Sequence, residues 1–173
     1  MIELIAEGNR SSIGNFIEGV SPRGIAVGYP ENANLAFDAD QISLALIWHG
    51  RFMDASRHWT GRGEGFQPPL GDHVLSLVKG VPFAQLEQAK TPWPNESARE
   101  LGFRFRGYQF DQKSQPIFLY STDQYQVQDL RPVMGEPDAS FERTLTVTFN
   151  KPVERLWFRA ARSADIKDLG GNQ

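Results

Sequence analysis

The chain has 173 residues, a net charge of −3, no cysteine, and 40% apolar and 12% aromatic residues. This fits one globular domain that can bury a core without covalent staples. It excludes disulfides, thiolate metal sites and cysteine catalysis, and it offers no basic field for nucleic-acid phosphates. No window reaches the roughly 18 apolar residues of a membrane span. The start, "MIELIAEGNRSSIGNF", is acidic and broken by Gly, Asn and Ser, so it does not read as a signal peptide. The expectation is a single domain over 1–173, either cytosolic or cut from a longer exported polypeptide.

In chain order, "GIAVGY" and "ANLAFDA" read as strands around the turn trio Pro30-Glu31-Asn32. Asp38-Ala39-Asp40 turns the chain into a strand over 41–49. There Ile42, Leu44, Leu46 and Trp48 share one face, and Gln41, Ser43, Ala45, Ile47 and His49 the other. An irregular loop over 51–73 follows. "PFAQLEQAK" has the composition for two helical turns, and "NESAREL" for a short helix capped by Asn95; "TPWPN" between them forbids a continuous helix. In "LGFRFRGYQFD", Phe103 and Phe105 lie on one parity and Tyr108 and Phe110 on the other. A β-bulge at Gly107 would return the last two to the core face. "IFLYS", "YQVQDL", "RTLTVTFN" and "RLWFRA" complete about nine strands with short turns. The tail "KDLGGNQ" has no pattern. The fold expected is all-β, a mainly antiparallel β-sandwich, supersandwich-like at its largest, with one long loop and at most short helices. Its core should hold Ile25, Val27, Leu35, Phe37, Ile42, Leu44, Leu46, Phe105, Tyr108, Phe110, Leu145, Val147, Phe149 and Leu156.

The loop "RFMDASRHWTGRGEGFQPPLGDH" concentrates chemistry-bearing side chains. His58 and His73 stand near Asp54 and Asp72, but no zinc spacing is present, and no metal, haem or other cofactor is expected. Calcium is a separate case, because Asp38, Asp40, Asp54 and Asp72 are all loop-edge oxygens. Asp54, Glu64 and Asp72 could form an acid–base pair, as could the surface acids of almost any chain this size. No nucleophile elbow or phosphate loop accompanies them, so no catalytic residue is assigned.

Two accounts of the loop remain. Asp54, Arg57, His58, Trp59, Arg62, Phe66 and Asp72 can form a ligand-binding edge, in which an aromatic face and an arginine fork grip a sugar hydroxyl pair or a carboxylate. Alternatively Trp59 and Phe66 plug the open end of the sandwich. The arginines of "FRFRG" and "FRAAR" suit salt bridges to a neighbouring domain, or simply a solvated strand face.

The run "PRGIAVGYP", the run "RHWTGRGEGFQPPLGD" and the run "GYQFDQKSQPIFLY" carry a family resemblance that spans Phe16 to Ala161. They resemble a β-rich segment of large multidomain planctomycete-type proteins that also hold c-type haem domains and sugar-dehydrogenase-like propellers. The resemblance implies a periplasmic or extracellular setting and neighbouring domains that handle sugars or electrons. It transfers no catalytic residue, and this chain lacks the CxxCH that would attach a haem. The functional expectation is a non-catalytic accessory module that binds carbohydrate or scaffolds its neighbours, with no nucleic-acid partner and no membrane span. The alternative is a carbohydrate-active isomerase, lyase or hydrolase using loop carboxylates and histidine. Trp59→Ala separates the two accounts of the loop. A core plug loses about 3–5 kcal/mol in a denaturant titration. An exposed platform keeps its stability and loses ligand.

Overall fold

A computed structural model of the protein describes residues 3–4, 11–54, 56, 65–135 and 139–162, with the backbone alone at 3–4 and 11–15. Turn chemistry sets its strands. Tyr29 and Ala33 close a three-residue turn, in which Asn32 (φ 57°) takes the left-handed position that asparagine tolerates. Asp111 and Gln115 repeat the device with Ser114 (φ 57°), and the Asp111 carboxylate accepts the Lys113 and Gln115 amides.

The strands are β1 (Glu3–Leu4), β2 (Ser11–Asn15), β3 (Gly24–Gly28), β4 (Ala33–Asp38), β5 (Ser43–His49), β6 (Met53–Asp54), β7 (Asp72–Ser76), β8 (Phe83–Gln85), β9 (Arg104–Phe110), β10 (Pro116–Ser121), β11 (Tyr125–Leu130), β12 (Val133–Met134), β13 (Ser140–Phe141), β14 (Thr144–Phe149) and β15 (Leu156–Phe158). They form a five-stranded sheet, β2-β3-β4-β5-β7, and a four-stranded sheet, β14-β11-β10-β9. Three two-stranded ribbons pair β1 with β6, β12 with β13 and β8 with β15. Neighbouring strands run antiparallel throughout. The expected all-β, sandwich-like fold is what the chain adopts. Among the described residues no helix is long and apolar enough to cross a membrane.

The two large sheets meet through aromatic rings. Phe37 of β4 stacks on Phe118 of β10 with centroids 4.2 Å apart, and Phe105 of β9 tilts against Phe37 at 5.6 Å. Ile25, Val27, Leu35, Tyr120 and Val127 fill the same core. Its removal from water is the main stabilising term.

The central strands β3, β4 and β5 of the five-stranded sheet are buried on both faces, not on one. Leu46 pairs with Ala36 and Leu44 with Phe37, so Ala45 is an inserted residue. This bulge reverses the parity expected for 41–49: Leu44 and Ile47 pack on the main core, while Leu46 and Trp48 join a second cluster. Ile17, Val20, Ala26, Ala36, Ala45, Phe52 and Met53 complete that cluster. At Gly28 an added Cβ would lie 3.0 Å from the Phe52 ring, which packs almost on the backbone.

The helical reading of 82–90 is overturned. Phe83 and Ala84 are buried in β8, which pairs with β15, because tertiary pairing outweighs weak local preference. The expected Asn95 cap is replaced by a single capped turn at Ser97. Ser97 and Glu100 exchange side-chain-to-amide hydrogen bonds, and Gly102 (φ +82°) ends the turn with Phe103 N–H bonded to Ala98 C=O. The bulge at Gly107 (φ +103°) does place Tyr108 on the face of Phe105, opposite Phe118. Yet Tyr108 and Phe110 stay substantially exposed, as does Phe149, because they sit on the edge strands β9 and β14 where core coverage runs out. Leu145, Val147 and Leu156 are partly buried against the core.

A charged network lies inside the sandwich. Asp129 and Arg131 are 0% and 1% exposed. Arg131 Nη2 donates to Asp129 at 2.7 Å, and Arg143 donates from Nε and Nη2 at 3.1 and 2.7 Å. Tyr120 donates to the same carboxylate at 3.3 Å, and Tyr29 donates to the Arg131 carbonyl at 3.0 Å. Burial lowers the pKa of the Arg131 guanidinium and attraction to Asp129 opposes that shift. Asp129→Ala strands two guanidiniums at least three-quarters out of water; guanidinium denaturation should show a loss of about 3–5 kcal/mol.

Candidate functional site

The arms of the loop over 51–73 belong to the second core. Trp48 Nε1 donates to the carbonyls of Arg51 and Phe52, and its ring stacks on Phe52. Gln67 is buried and exchanges backbone hydrogen bonds with Phe16 and Glu18. Leu70 N–H bonds Phe52 C=O, and Pro69 bridges Met53. Asp54 lies half-buried in β6, where its Oδ1 accepts the Ser56 amide at 2.8 Å. Phe66 is exposed and meets Phe16 edge-on. Asp72 opens β7, exposed and opposite His49, so Asp54 and Asp72 stand in different sheets. His73 belongs to β7, not to the loop, and its φ of 54° marks a bulge opposite Trp48. Arg57, His58, Trp59 and Arg62 lie outside the described residues.

Asp38 spends both carboxylate oxygens inside the fold. It accepts the Ser21 amide and hydroxyl and the Asp40 and Gln41 amides, while Asp40 pairs with Arg23. Among the described residues no three His, Asp or Glu side chains group closely enough to hold a metal ion.

A different surface has the form of a binding site. The outer face of the four-stranded sheet holds a groove of about 500 Å³. Cross-strand register builds its floor in rows. Ser121, Gln126 and Thr148 lie side by side across β10, β11 and β14; Gly107, Leu119, Gln128 and Thr146 form the next row. Arg106 leans across the first row and donates from Nε to Ser121 Oγ at 2.9 Å, and Gln109 stands at the rim. Above Gly107 a Cβ would meet nothing within 4 Å. The groove therefore offers planar amides, a guanidinium and hydroxyls around a small apolar patch at Leu119. The one acid among its described lining residues, Asp123, is tied to Lys151 at 3.1 Å. Sequence reasoning missed this site, although "YQVQDL" held the signal: the wet positions are long amides rather than the usual surface charges.

A second cavity, of about 430 Å³, opens between β8 and the 91–103 segment. Phe83, Leu86, Pro92, Leu101, Phe103 and Tyr125 line it. A third groove, along β7, carries three arginines. No family model, curated protein or solved structure matches the chain.

Burial pushes the Tyr125 hydroxyl up from 10.0 to about 12, and burial, reinforced by Asp129, raises Tyr120 further. The folded state thus prefers neutral phenols. The Tyr125 contribution to stability is intact below pH 10 and is lost as pH rises through about 12, and that of Tyr120 goes on falling beyond it. Denaturant titrations between those limits should show falling stability, and Tyr125→Phe should flatten the fall.

Proposed function

We propose that the chain is a non-catalytic module that binds carbohydrate on the outer face of its four-stranded sheet. The amide-lined groove carries this reading. Gln126 and Gln128 stand two residues apart on one strand face, each with an acceptor oxygen and two N–H donors. Neighbouring hydroxyls on a sugar ring present a matching pair of donors and acceptors. The guanidinium of Arg106, already oriented by Ser121, adds a rigid fork of donors. Leu119 and the open space over Gly107 suit the C–H face of a pyranose. The groove's acid is held in an ion pair and, among the described residues, no second carboxylate lines it, which supports binding over hydrolysis. The setting that goes with this reading is an accessory role in an exported, sugar-handling or redox multidomain polypeptide, as the family resemblance implies.

A glycan array probed with the whole chain tests the proposal. A bound glycan should lose about thirtyfold in affinity when Gln126 and Gln128 are both changed to alanine, at about 1 kcal/mol per hydrogen-bonding side chain. Melting should barely move, since both residues are exposed. Binding that survives the double change, but falls with Trp59→Ala, would return the site to the 51–73 loop. Turnover of an oligosaccharide would make the chain an enzyme.

A further inference from the structure

β7 is an edge strand of the five-stranded sheet, and its residues are exposed throughout. Its sequence runs on as "HVLSLV", an uncharged apolar stretch apart from its histidine, with Val74 and Leu75 44% and 53% exposed. Leu77 N–H bonds Ala45 C=O, and Ser76 is the next residue in the register, opposite Leu46. By strand alternation the Ser76 N–H and C=O therefore point away from β5, into open space. Folded proteins usually guard such an edge with lysine, proline or a covering segment. Here, among the described residues, β7 has only the bulge at His73, at its far end.

The groove beside this edge is strongly cationic. Ser43 and Leu44 of β5, Leu75–Val78, Arg143 and Arg159–Arg162 line it. Among the described residues that line it none is Asp or Glu, in a chain whose net charge is −3. Arg159 is held in place by the carbonyls of Lys79, Gly80 and Val81, and its guanidinium lies 4.9 Å from the centre of the Trp93 ring. Its fixed positive charge has no carboxylate partner among the described residues. Arg143 is oriented from behind by Asp129, which must also serve Arg131 and so offsets only one of the two charges. Burial and the nearby Arg162 both disfavour the charge on Arg159, a cost that an incoming anion would relieve.

We propose that this edge and groove dock an extended, acidic segment of another polypeptide, which adds to the sheet as a strand beside β7. Backbone pairing to Ser76 would supply strand addition. Carboxylates on the groove face of the segment would meet Arg159, Arg162 and Arg143, their methylene stems lying along Leu75 and Leu77, and apolar side chains on its other face would lie beside Val74. A second copy of this chain fits less well, because edge-to-edge pairing about Ser76 would bring two arginine clusters to one seam.

The probes are labelled, end-capped hexapeptides alternating Glu and Val, or Gln and Val, added to the full chain and followed by fluorescence anisotropy. The Glu peptide should bind and weaken with salt, and the Gln peptide should bind about tenfold or more weakly. Ser76→Pro, which deletes only an outward N–H, and Arg162→Glu should each cost about tenfold. Should Ser76→Pro fail to fold, two Glu peptides N-methylated at alternate residues replace it: one phase should lose binding and the other keep it. On binding, exchange of the Ser76 amide should slow. Equal binding of the Glu and Gln peptides overturns the proposal. So does no binding of the Glu peptide, indifference to both Ser76→Pro and N-methylation, or a dimer in sedimentation that Ser76→Pro dissolves.

Discussion

A carboxylate shared by two guanidiniums at the centre of the sandwich constrains everything around it. Buried charges are tolerated only when partnered with good geometry. Asp129 must therefore sit where Arg131, two residues on, and Arg143, at the entry to β14, both reach it. This holds β14 beside β11 in the register where Leu130 faces Thr144 and Tyr125 faces Phe149. Tyr29, from the opposite sheet, closes on the Arg131 carbonyl, and the Arg131 Cζ lies 5.6 Å from the ring centre of Phe37. The polar network thus joins the same two sheets as the Phe37–Phe118 stack. Apolar packing supplies the larger part of the stability, and the network narrows which packing is allowed.

The network also reaches the surface. Arg143 holds Asp129 on one side and lines the groove along β7 on the other. Its pose there is set by a buried partner rather than by solvent. A guanidinium pre-oriented in this way loses less freedom when an anion arrives. The sheet face with the amide rows gains in the same manner, since cross-strand register holds Gln126 beside Thr148 and Gln128 beside Thr146. Both candidate surfaces are thus carried by strands, whose positions are tighter than those of loops.

These two surfaces divide the roles that the composition of the chain leaves open. One is neutral and polar, and suits a ligand rich in hydroxyls. The other is cationic with an unpaired backbone edge, and suits an acidic peptide. They lie on different sheets, so occupancy of one does not obstruct the other.

By itself the sequence determined the fold class. Alternation in "RTLTVTFN" and "YQVQDL", and the turn residues Asn32, Asp111 and Gly107, act between near neighbours, so their meaning survives without knowledge of the fold. The bulge at Gly107 was legible for that reason. The bulge at Ala45 was not, because it exists only in the register between β5 and β4, and no glycine or asparagine stands in 41–49 to mark it. It decides which core Leu44 and Leu46 enter. The arms of the 51–73 loop were legible as irregular but not as core: Phe52 and Met53 are buried by a second cluster that forms only when the 16–20 segment folds over the sheet. The sites went the same way. A loop rich in Trp, Arg and His draws attention through composition, whereas a row of ordinary glutamines becomes a groove only when three strands align them. Tertiary structure decided that alignment, because side chains far apart in the chain acquire a joint chemistry only once backbone pairing makes them neighbours.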